Sequence, residues 1–350
     1  MKIFECQNCG QPLYFENTKC ESCGLRLGYL PKLEVITALR EAGPGRWNAM
    51  AATNALYHFC ANAEYDVCNW LLSVDHAEVF CEACRHNRTI PDLTLSENLL
   101  NWRKIEWAKH RLFYSILKFR LPVTKRPEDP CGLAFDFLSP SQMQSNVYTG
   151  HAAGLITLNV AEADDLERER QRTVMGEPYR TLLGHFRHEI AHYFWDHLVA
   201  RSPSLGQFRE LFGDEREDYQ SALKRHYTEA PPTNWLVQFV TPYASAHPWE
   251  DFAETWAHYL HMVDTLETAS AFGLGLNPAV GKQSNLQIML DFDPYTADIQ
   301  RIIKNWLPLT FAVNSINRSM GQHDLYPFIL PPKVIAKLKF VHNRIHRLPN

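Results

Sequence analysis

A short histidine-containing motif carries the clearest chemical signal in the sequence. Residues 188–192 have the sequence His-Glu-Ile-Ala-His, inside a stretch from residue 181 to residue 199 that we predict to be one helix. Because residues four apart on a helix share a face, with about 5–6 Å between their Cβ atoms, His188 and His192 could bind one zinc ion. Glu189 could then accept a proton from a water molecule on that ion. The alternative is a buried amphipathic helix whose histidines only pack or form hydrogen bonds.

A catalytic zinc site needs three protein ligands and one open position, so the motif requires a third ligand from elsewhere. The longer pattern HExxHxxGxxH is excluded, because Trp195 and Leu198 stand where that pattern has its glycine and its last histidine. His197 lies about 140° around the helix from His192 and would point elsewhere. Cys131 is a further candidate by analogy with peptide deformylases, and its alternative is a free, buried cysteine.

A second predicted helix, over residues 247–268, offers carboxylates for the third position. Glu250 and Glu254 are four apart and share a face, so one can bind zinc while the other accepts the N–H of a ligating histidine. Ala253 and Ala257 are small enough to let this helix approach the first one closely. The alternative is that the two glutamates form a surface stripe.

Two groups of four cysteines occupy the first 90 residues, and we predict a structural zinc site for each. The first group has two CxxC pairs separated by ten residues and each followed by glycine, the arrangement of a zinc ribbon. The second has one CxxC pair and two cysteines separated by seven residues, for which the alternative is two buried thiols and an empty pair. Four thiolates leave no open position for catalysis. The predicted ligands are Cys6, Cys9, Cys20 and Cys23 in the first group and Cys60, Cys68, Cys81 and Cys84 in the second.

Composition limits the class of protein. The 350 residues suffice for about two domains, and 45% of them are hydrophobic, enough for a sizeable core. The net charge of −4 gives no electrostatic case for nucleic-acid binding. Residues 1–19 contain a CxxC pair instead of an apolar signal sequence, and no stretch approaches the roughly 18 apolar residues of a membrane span. We therefore expect a soluble, cytoplasmic protein without a membrane partner, whose nine cysteines bind metal in preference to forming disulfides.

Apolar periodicity and turn residues predict the elements that must hold these side chains. The basic residues of the first and last helices are expected on solvated faces. A linker is expected at residues 91–93, and a loop at residues 274–285. The predicted helices cover about residues 96–119, 164–172, 181–199, 208–226, 247–268, 296–318 and 332–346, and the predicted strands cover 132–138 and 154–160.

The combination of HExxH with a later ExxxE resembles the gluzincin class of zinc metallopeptidases. More closely, the chain resembles a bacterial family of zinc-binding metallopeptidases that carry an N-terminal zinc ribbon. The resemblance covers the cysteine groups, residues 184–197 and residues 243–258. It implies that Glu250 is the third zinc ligand and that Glu254 supports a ligating histidine. The reverse assignment, and after it Asp251, are the alternatives.

The expected fold is α+β, in two domains. Residues 1–90 would form a zinc-ribbon region with two four-cysteine sites, and residues 91–350 a mostly helical, zincin-like metallopeptidase domain with a small sheet. The zincin layout implied by the resemblance has an edge strand beside the active-site cleft. Residues 154–160 are the candidate for that strand, which could bind an extended peptide through main-chain hydrogen bonds.

The predicted activity is that of a zinc metallopeptidase, with one catalytic zinc ion and one or two structural ones. Zinc would activate a water molecule and polarise the scissile carbonyl, and Glu189 would act as general base and then as proton donor to the leaving amine. Tyr243 is the first candidate for stabilising the oxyanion, with His247 and His258 as further candidates. The alternative for Tyr243 is a packed loop aromatic.

Two other functions remain open from the sequence. The zinc ribbons could make the protein an adaptor for protein or nucleic acid, with an inactive or non-peptidase hydrolase domain. Lys2, Lys19 and Arg26 are too few to form a basic face, which weakens the nucleic-acid version, although a DNA-dependent protease would unite both functions. A zinc amidase acting on a non-peptide substrate is the other alternative. The expected partner is a peptide or protein substrate, and the oligomeric state is left open.

Overall fold

The computed structural model describes residues 2–126, 128–139, 149–175, 181–279 and 286–347. The chain divides into two units, residues 1–175 and residues 176–350. The boundary predicted between residues 90 and 91 falls inside the first unit, and the predicted division into domains stays a prediction. Helices together with small sheets make the chain an α+β protein, as predicted, whereas the zincin layout stays a prediction.

The first unit combines short strands with one long helix and ends in a small sheet. Its elements are β1 (Phe4–Glu5), β2 (Pro12–Leu13), β3 (Leu27–Leu30), β4 (Val35–Glu41), β5 (Trp47–Ala49), β6 (Ala52–Phe59), β7 (Leu71–Ser73), β8 (Asn87–Thr89), α1 (Ser96–Lys118), β9 (Ala134–Leu138), β10 (Gly150–Ala152), β11 (Leu155–Asn159) and α2 (Asp165–Met175). Strands β1 and β2 pair with each other, and β3 to β7 form a five-stranded antiparallel sheet in chain order. The last sheet has the order β10-β11-β9-β8.

Buried aromatic rings join the five-stranded sheet to helix α1. Tyr29 of β3 lies 5.0 Å from Trp70 and 6.4 Å from Tyr114 of α1, between ring centroids. Phe15 lies edge-on to Tyr114 at 5.6 Å. Such offset and edge-to-face pairs add to the free energy that burial of the rings already contributes. Helix α1 therefore presents a fixed face to the cysteine-rich segments.

Strand β11 is an internal strand of its sheet. It pairs antiparallel with β10 and parallel with β9, so both of its edges are hydrogen-bonded. The prediction that residues 154–160 form a free edge strand is therefore wrong. The reason is a tight hairpin: Ala153 and Gly154 both have positive φ, 46° and 81°, as the two central residues of a type I′ turn do. A Cβ at position 154 would meet the carbonyl oxygen of Cys131 at 2.1 Å, so glycine is required there.

The second unit is mainly helical. Its elements are α3 (Leu182–Trp195), α4 (Leu205–Phe212), α5 (Tyr219–Thr228), α6 (Trp235–Gln238), α7 (Pro248–Ala271), β12 (Gly275–Leu276), β13 (Ile288–Met289), α8 (Ile299–Ser319) and α9 (Pro332–His346). Helix α7 is the central element, since it packs against α3, α8 and α9 and is buried along most of its length. None of the helices in the described ranges combines the length and the apolar composition that crossing a lipid bilayer requires.

The polar helix predicted over residues 208–226 is two helices. Gly213 ends α4 with a φ of 111°, a conformation that favours glycine. Asp218 begins α5, because its side chain accepts a hydrogen bond from the backbone N–H of Ser221 at 2.8 Å. Residues 213–218 therefore separate the two helices.

Two basic residues predicted to lie on solvated faces are buried in ion pairs. The Lys109 ammonium lies 2.8 Å from Oε1 of Glu106, one turn away on α1, and both side chains are fully buried. Lys337 of α9 pairs with Asp251 of α7 in the second unit, and both of these side chains are almost completely buried. Because burial of a single charge is costly, the pairing explains how both lysines are tolerated in the interior.

Candidate metal centre

Helix α3 places two histidines on one face. Its N-terminus is capped by Thr181, whose hydroxyl oxygen accepts the N–H of Gly184 at 2.9 Å. His188 and His192 follow on successive turns, with their ring centroids 5.2 Å apart. His197 lies in the π-helical turn that continues the helix, exposed and against the ring of Tyr193 at 4.3 Å. The structure thus brings together the histidines of the motif and leaves His197 outside the group, as predicted from the helical angle.

Helix α7 brings a carboxylate to the same place. Pro248 occupies the first helical turn, and His247 caps the helix by accepting the N–H of Trp249 at 3.1 Å. Glu250 therefore lies in the first turn, where the helix dipole favours negative charge. His247 is buried, and its Nε2 lies 3.2 Å from the carbonyl oxygen of Glu217. These contacts assign His247 to holding the helix terminus.

Buried polar and aromatic contacts join α3 to α7 next to the site. Arg187 of α3 contacts the ring of His261 and the carboxylate of Asp264, both on α7. The rings of Phe194 and Trp256 stack at 5.1 Å between centroids. A charge-assisted contact together with ring packing fixes the relative position of the two helices. The donor atoms on their other faces are consequently held in register.

Three donor groups converge where the two helices face each other. Nε2 of His188 lies 2.9 Å from Oε2 of Glu250, and Nε2 of His192 lies 3.7 Å from Oε1 of the same carboxylate. Ligands bonded at about 2.1 Å and at tetrahedral angles are about 3.4 Å apart. The separations therefore fit a single zinc ion held by His188, His192 and Glu250, and the chemistry of two imidazoles and a carboxylate fits zinc as well.

Glu254 contacts the second ring nitrogen of His188. Its Oε1 lies 2.7 Å from Nδ1 of His188, and its Oε2 accepts a hydrogen bond from the hydroxyl of Thr241 at 2.7 Å. Such a contact fixes the ring orientation and the tautomer of a ligating histidine. The carboxylate of Asp251 forms an ion pair with Lys337. Of the three acidic residues considered from the sequence, Glu250 is the one that faces both Nε2 atoms.

The electrostatics of the group favour a cation. Burial lowers the pKa of His192 to about 4, so its imidazole is neutral at pH 7 and can act as a ligand. Burial opposes ionisation of Glu250, but His192, His188 and the hydroxyl of Tyr219 lower its pKa to about 2. Burial likewise opposes protonation of His188, yet Glu250 and Glu254 raise the pKa of His188 well above its usual value. The site therefore combines ionised oxygen with a strong attraction for positive charge.

Two tyrosine hydroxyls complete the surroundings. Tyr243 is half-buried, and its ring lies 5.9 Å from that of His188. Burial and the charges of Glu250 and Glu189 raise the pKa of Tyr243 well above its usual value, so it stays a neutral donor. Tyr219 donates its hydroxyl hydrogen to Oε1 of Glu250 at 2.8 Å. Tyr243 was predicted at this place, whereas Tyr219 was not.

The signal that locates Tyr219 is the capping pattern before α5. Gly213 as a helix stop and Asp218 as a helix start would have placed Tyr219 at the first position of a separate helix. His226 follows seven residues later on the same face, with its ring 5.5 Å from that of Tyr243. A continuous helix over residues 208–226 hides this arrangement.

Replacing Tyr219 by phenylalanine is expected to weaken zinc binding at this site by about 10–100-fold, because Glu250 loses the donor that orients it. Zinc affinity measured by chelator competition checks this. Tyr259→Phe is the matched control, since its buried hydroxyl contacts His342 and His346 instead of the site. Equal zinc affinity in Tyr219→Phe and the wild type would contradict the role of Tyr219 in positioning Glu250.

His258, a candidate for oxyanion stabilisation, lies in the core of the second unit. Its Nδ1 is 2.7 Å from the hydroxyl of Tyr326, and its ring packs edge-on against Phe328 at 4.5 Å. Burial lowers the pKa of His258 to about 4. The ring is therefore neutral and engaged in packing at neutral pH, which makes it a structural residue of α7.

The buried neutral state of His258 predicts an acid-sensitive stability. Between pH 6.5 and pH 4 the unfolded chain binds a proton at this position and the folded chain does not, so the free energy of unfolding falls as the pH falls, by up to about 3 kcal/mol. Urea unfolding at pH 7 and pH 5 measures the slope. His258→Asn should be less sensitive to acid than the wild type, whereas the exposed control His323→Asn should match it. An unchanged slope in His258→Asn would contradict the prediction.

The cysteines form two further groups of close donors. In the first group, Sγ of Cys6 is 3.7 Å from that of Cys23, and Sγ of Cys9 is 3.6 Å from that of Cys20. Thiolates bonded to one zinc ion are about 3.8 Å apart, so the group fits a zinc ribbon. In the second group all Sγ atoms lie within 4.8 Å of one another. Its members Cys60, Cys68, Cys81 and Cys84 are all buried. Cys131 is exposed, contrary to the prediction of a buried thiol, and belongs to none of the donor groups within the described ranges.

Two family models match the chain, one over each of two ranges. A family model described as "Putative zinc-binding metallo-peptidase" matches residues 98–344, and a model described as a zinc-ribbon domain matches residues 3–95. An uncharacterized protein of Mycobacterium tuberculosis is 42% identical over 351 residues, covering 98% of this chain and 94% of the relative. An uncharacterized protein of Mycobacterium bovis shows the same identity of 42% with the same coverage. No solved structure gives a significant match.

Proposed function

The chain belongs to this family of zinc-binding metallopeptidases, and on that premise we propose that it hydrolyses peptide bonds with a zinc ion held by His188, His192 and Glu250. The observation that carries the proposal is the convergence of these three donors, with His188 and Glu250 in contact at 2.9 Å. A neutral His192 and an ionised Glu250 are the protonation states that zinc binding requires at neutral pH.

The charge of the donor set distinguishes this site from the cysteine sites. Two neutral imidazoles and one carboxylate leave a divalent ion with a net positive charge, which can attract a carbonyl oxygen. Four thiolates give the same ion a net negative charge and fill its coordination shell. We therefore assign the catalytic role to the histidine–glutamate site and structural roles to the two cysteine groups.

Glu189 is the proposed general base. When bound, the zinc ion would polarise the scissile carbonyl and lower the pKa of a water molecule. Glu189 would take the proton of the attacking water and transfer it to the leaving amine. Its negative charge contributes to the raised pKa values of both Tyr219 and Tyr243, which supports its location at the same site.

Tyr243 is the proposed donor to the developing oxyanion. It remains protonated because burial and the nearby carboxylates raise its pKa, and it lies against the ring of His188. A neutral hydroxyl that is already held at the site can donate a hydrogen bond to the developing negative charge. Little free energy of reorganisation is then needed to reach the transition state. Tyr219 already donates to Glu250 and is therefore proposed as a positioning residue.

Thr241 and Glu254 are proposed to set the tautomer of His188. The hydroxyl of Thr241 donates to Glu254, which in turn accepts from Nδ1 of His188. Because Glu250 and Glu254 raise the pKa of His188 despite its burial, zinc would have to displace the proton on Nε2, the nitrogen that faces Glu250. The hydrogen on Nδ1 would stay in its hydrogen bond to Glu254, which leaves Nε2 as the nitrogen that binds the metal.

A proteome-derived peptide library tests the proposal directly. The zinc-loaded, full-length protein should generate new peptide termini that disappear with a zinc chelator and return when zinc is restored. Glu189→Gln supplies the background, since it keeps the site but lacks the base. A library without new termini above that background would overturn the peptidase assignment, and turnover of a non-peptide amide in its place would favour an amidase.

The zinc-ribbon domain favours a second candidate, an adaptor that binds protein or nucleic acid through residues 3–95. The same library digested with and without DNA separates the candidates. Cleavage that requires DNA would indicate a DNA-dependent protease, whereas DNA binding without any cleavage would favour the adaptor.

A further inference from the structure

The second cysteine group has a fifth potential ligand. Nε2 of His110, on helix α1, lies 3.2 Å from Sγ of Cys68, 3.6 Å from that of Cys84 and 3.8 Å from that of Cys81. The histidine is only 3% exposed, and its ring packs against Trp70 at 5.1 Å between centroids. It is therefore held in place beside three of the four thiols.

Cys60 and His110 face the same three thiols. Cys60 interacts with Cys68, Cys81 and Cys84, and Nε2 of His110 lies within 3.8 Å of the Sγ atom of each of these three. Either Cys60 or His110 could therefore complete a set of four donors with them.

The tautomer of His110 suits a metal ligand. Its Nδ1 lies 2.6 Å from the backbone carbonyl oxygen of Glu106, which can only accept a hydrogen bond. Nδ1 must therefore carry a hydrogen, and in the neutral ring the lone pair is on Nε2, which faces the thiols. Ligating histidines commonly donate their second N–H to a backbone carbonyl in this way.

The buried negative charge of four thiolates favours replacing one of them by the imidazole of His110. A divalent ion with four thiolates carries two negative charges, and here they are buried. Oε2 of Glu106 lies 3.7 Å from Sγ of Cys84 and adds negative charge nearby, which Lys109 balances at 2.8 Å. Replacing one thiolate by a neutral imidazole removes one buried negative charge and lowers the cost of desolvation.

We propose that His110 is a reserve ligand of this site, so that zinc is held by Cys68, Cys81, Cys84 and either Cys60 or His110. In the exchange the bond from Cys60 to the metal would break, Nε2 of His110 would take its place, and the released thiolate would take a proton from solvent. This inference is independent of the peptidase activity.

The exchange has a structural consequence. With His110 bound, the metal joins the cysteine-rich segment directly to helix α1, the first helix of the family match over residues 98–344. The site would then survive the loss of Cys60 as a ligand. The first cysteine group offers a natural comparison, because in the described ranges no fifth donor completes it.

Substitution of single cysteines in the full-length protein tests the proposal. Cys60→Ala should lower the affinity of the second site by about tenfold or less, and adding His110→Ala should lower it by roughly a further hundredfold or more, about the effect of losing a ligand. Cys6→Ala, the equivalent loss in the first group, should weaken its site as strongly as the double variant weakens the second. His86→Ala is the control in the Cys60→Ala background, since His86 is equally buried but contacts Leu133.

Cobalt substitution gives a readout that does not depend on activity. Thiolate-to-cobalt absorption arises only from the cysteine sites, and its intensity is proportional to the number of bound thiolates. The spectrum of Cys60→Ala should show the loss of one thiolate but should still be that of a four-coordinate ion. Cys60→Ser, which preserves the side-chain volume, separates a packing defect from the loss of a ligand. If both variants lose the second metal, or if Cys60→Ala and Cys60→Ala/His110→Ala bind it equally, the proposal is overturned.

Discussion

Replacing Glu189 by glutamine is expected to reduce peptide hydrolysis by about 10²–10⁴-fold or more while leaving the fold and the zinc content unchanged. Glutamine has the shape of glutamate but cannot accept a proton, so the attacking water loses its base. The proposed ligands His188, His192 and Glu250 are untouched, and the metal should therefore stay bound. The measurement is kcat/KM on a peptide identified in the library, together with zinc content by mass spectrometry.

The control for this prediction is Glu97→Gln, an isosteric change at an exposed position in the first turn of α1. It should leave kcat/KM unchanged. Turnover of Glu189→Gln within a few-fold of the wild type, with full zinc content, would remove Glu189 from the mechanism and with it the reaction proposed here.

Replacing His192 by alanine is expected to remove one zinc ion of the three that the donor groups can hold. Two ligands bind zinc far less tightly than three, and the buried site would then keep the charge of Glu250 without its metal. Hydrolysis should be lost together with the ion, whereas the zinc of both cysteine groups should remain. Zinc content after gel filtration, compared with the activity, checks the result.

His197→Ala is the matched control, because this histidine is on the continuation of the same helix but exposed and outside the donor group. It should retain all zinc and all activity. Retention of the full zinc content by His192→Ala would show that His192 is not a ligand.

Substitutions of the two glutamates of α7 should reduce zinc binding to different extents in the same experiment. Glu250→Gln should lose the catalytic zinc, since its carboxylate faces Nε2 of both histidines. Glu254→Gln should weaken zinc binding by only about 10–100-fold, since it contacts Nδ1 of His188 and supports the ligand from behind. The reverse order of effects would exchange the roles of Glu250 and Glu254.

Sequence spacing was sufficient for features that one helix decides by itself. His188 and His192 are four apart, and so are Glu250 and Glu254, which puts each pair on one face whatever the rest of the chain does. The two CxxC pairs of the first cysteine group are equally local. The structure brings the ligand candidates of the two helices to the separations of a zinc site.

Sequence reasoning failed where a short turn or a distant partner decides. Gly213 and Asp218 divide a polar stretch into two helices, which puts Tyr219 in contact with Glu250. The Ala153–Gly154 turn pairs a third strand with β11 and removes its free edge. Neither residue pair stands out by composition, because the effect of each depends on backbone angles that several residue types can adopt.

The sequence by itself determined which residues could bind metal, since ligand chemistry and helical spacing are properties of the residues and of their near neighbours. Only the tertiary structure placed Glu250 against Nε2 and Glu254 against Nδ1 of His188, buried Lys109 and Lys337 in ion pairs, and put His110 beside three cysteines at least 26 residues away along the chain. These outcomes depend on how separate segments pack, and packing is set by shape and charge over the whole unit, which local spacing does not encode.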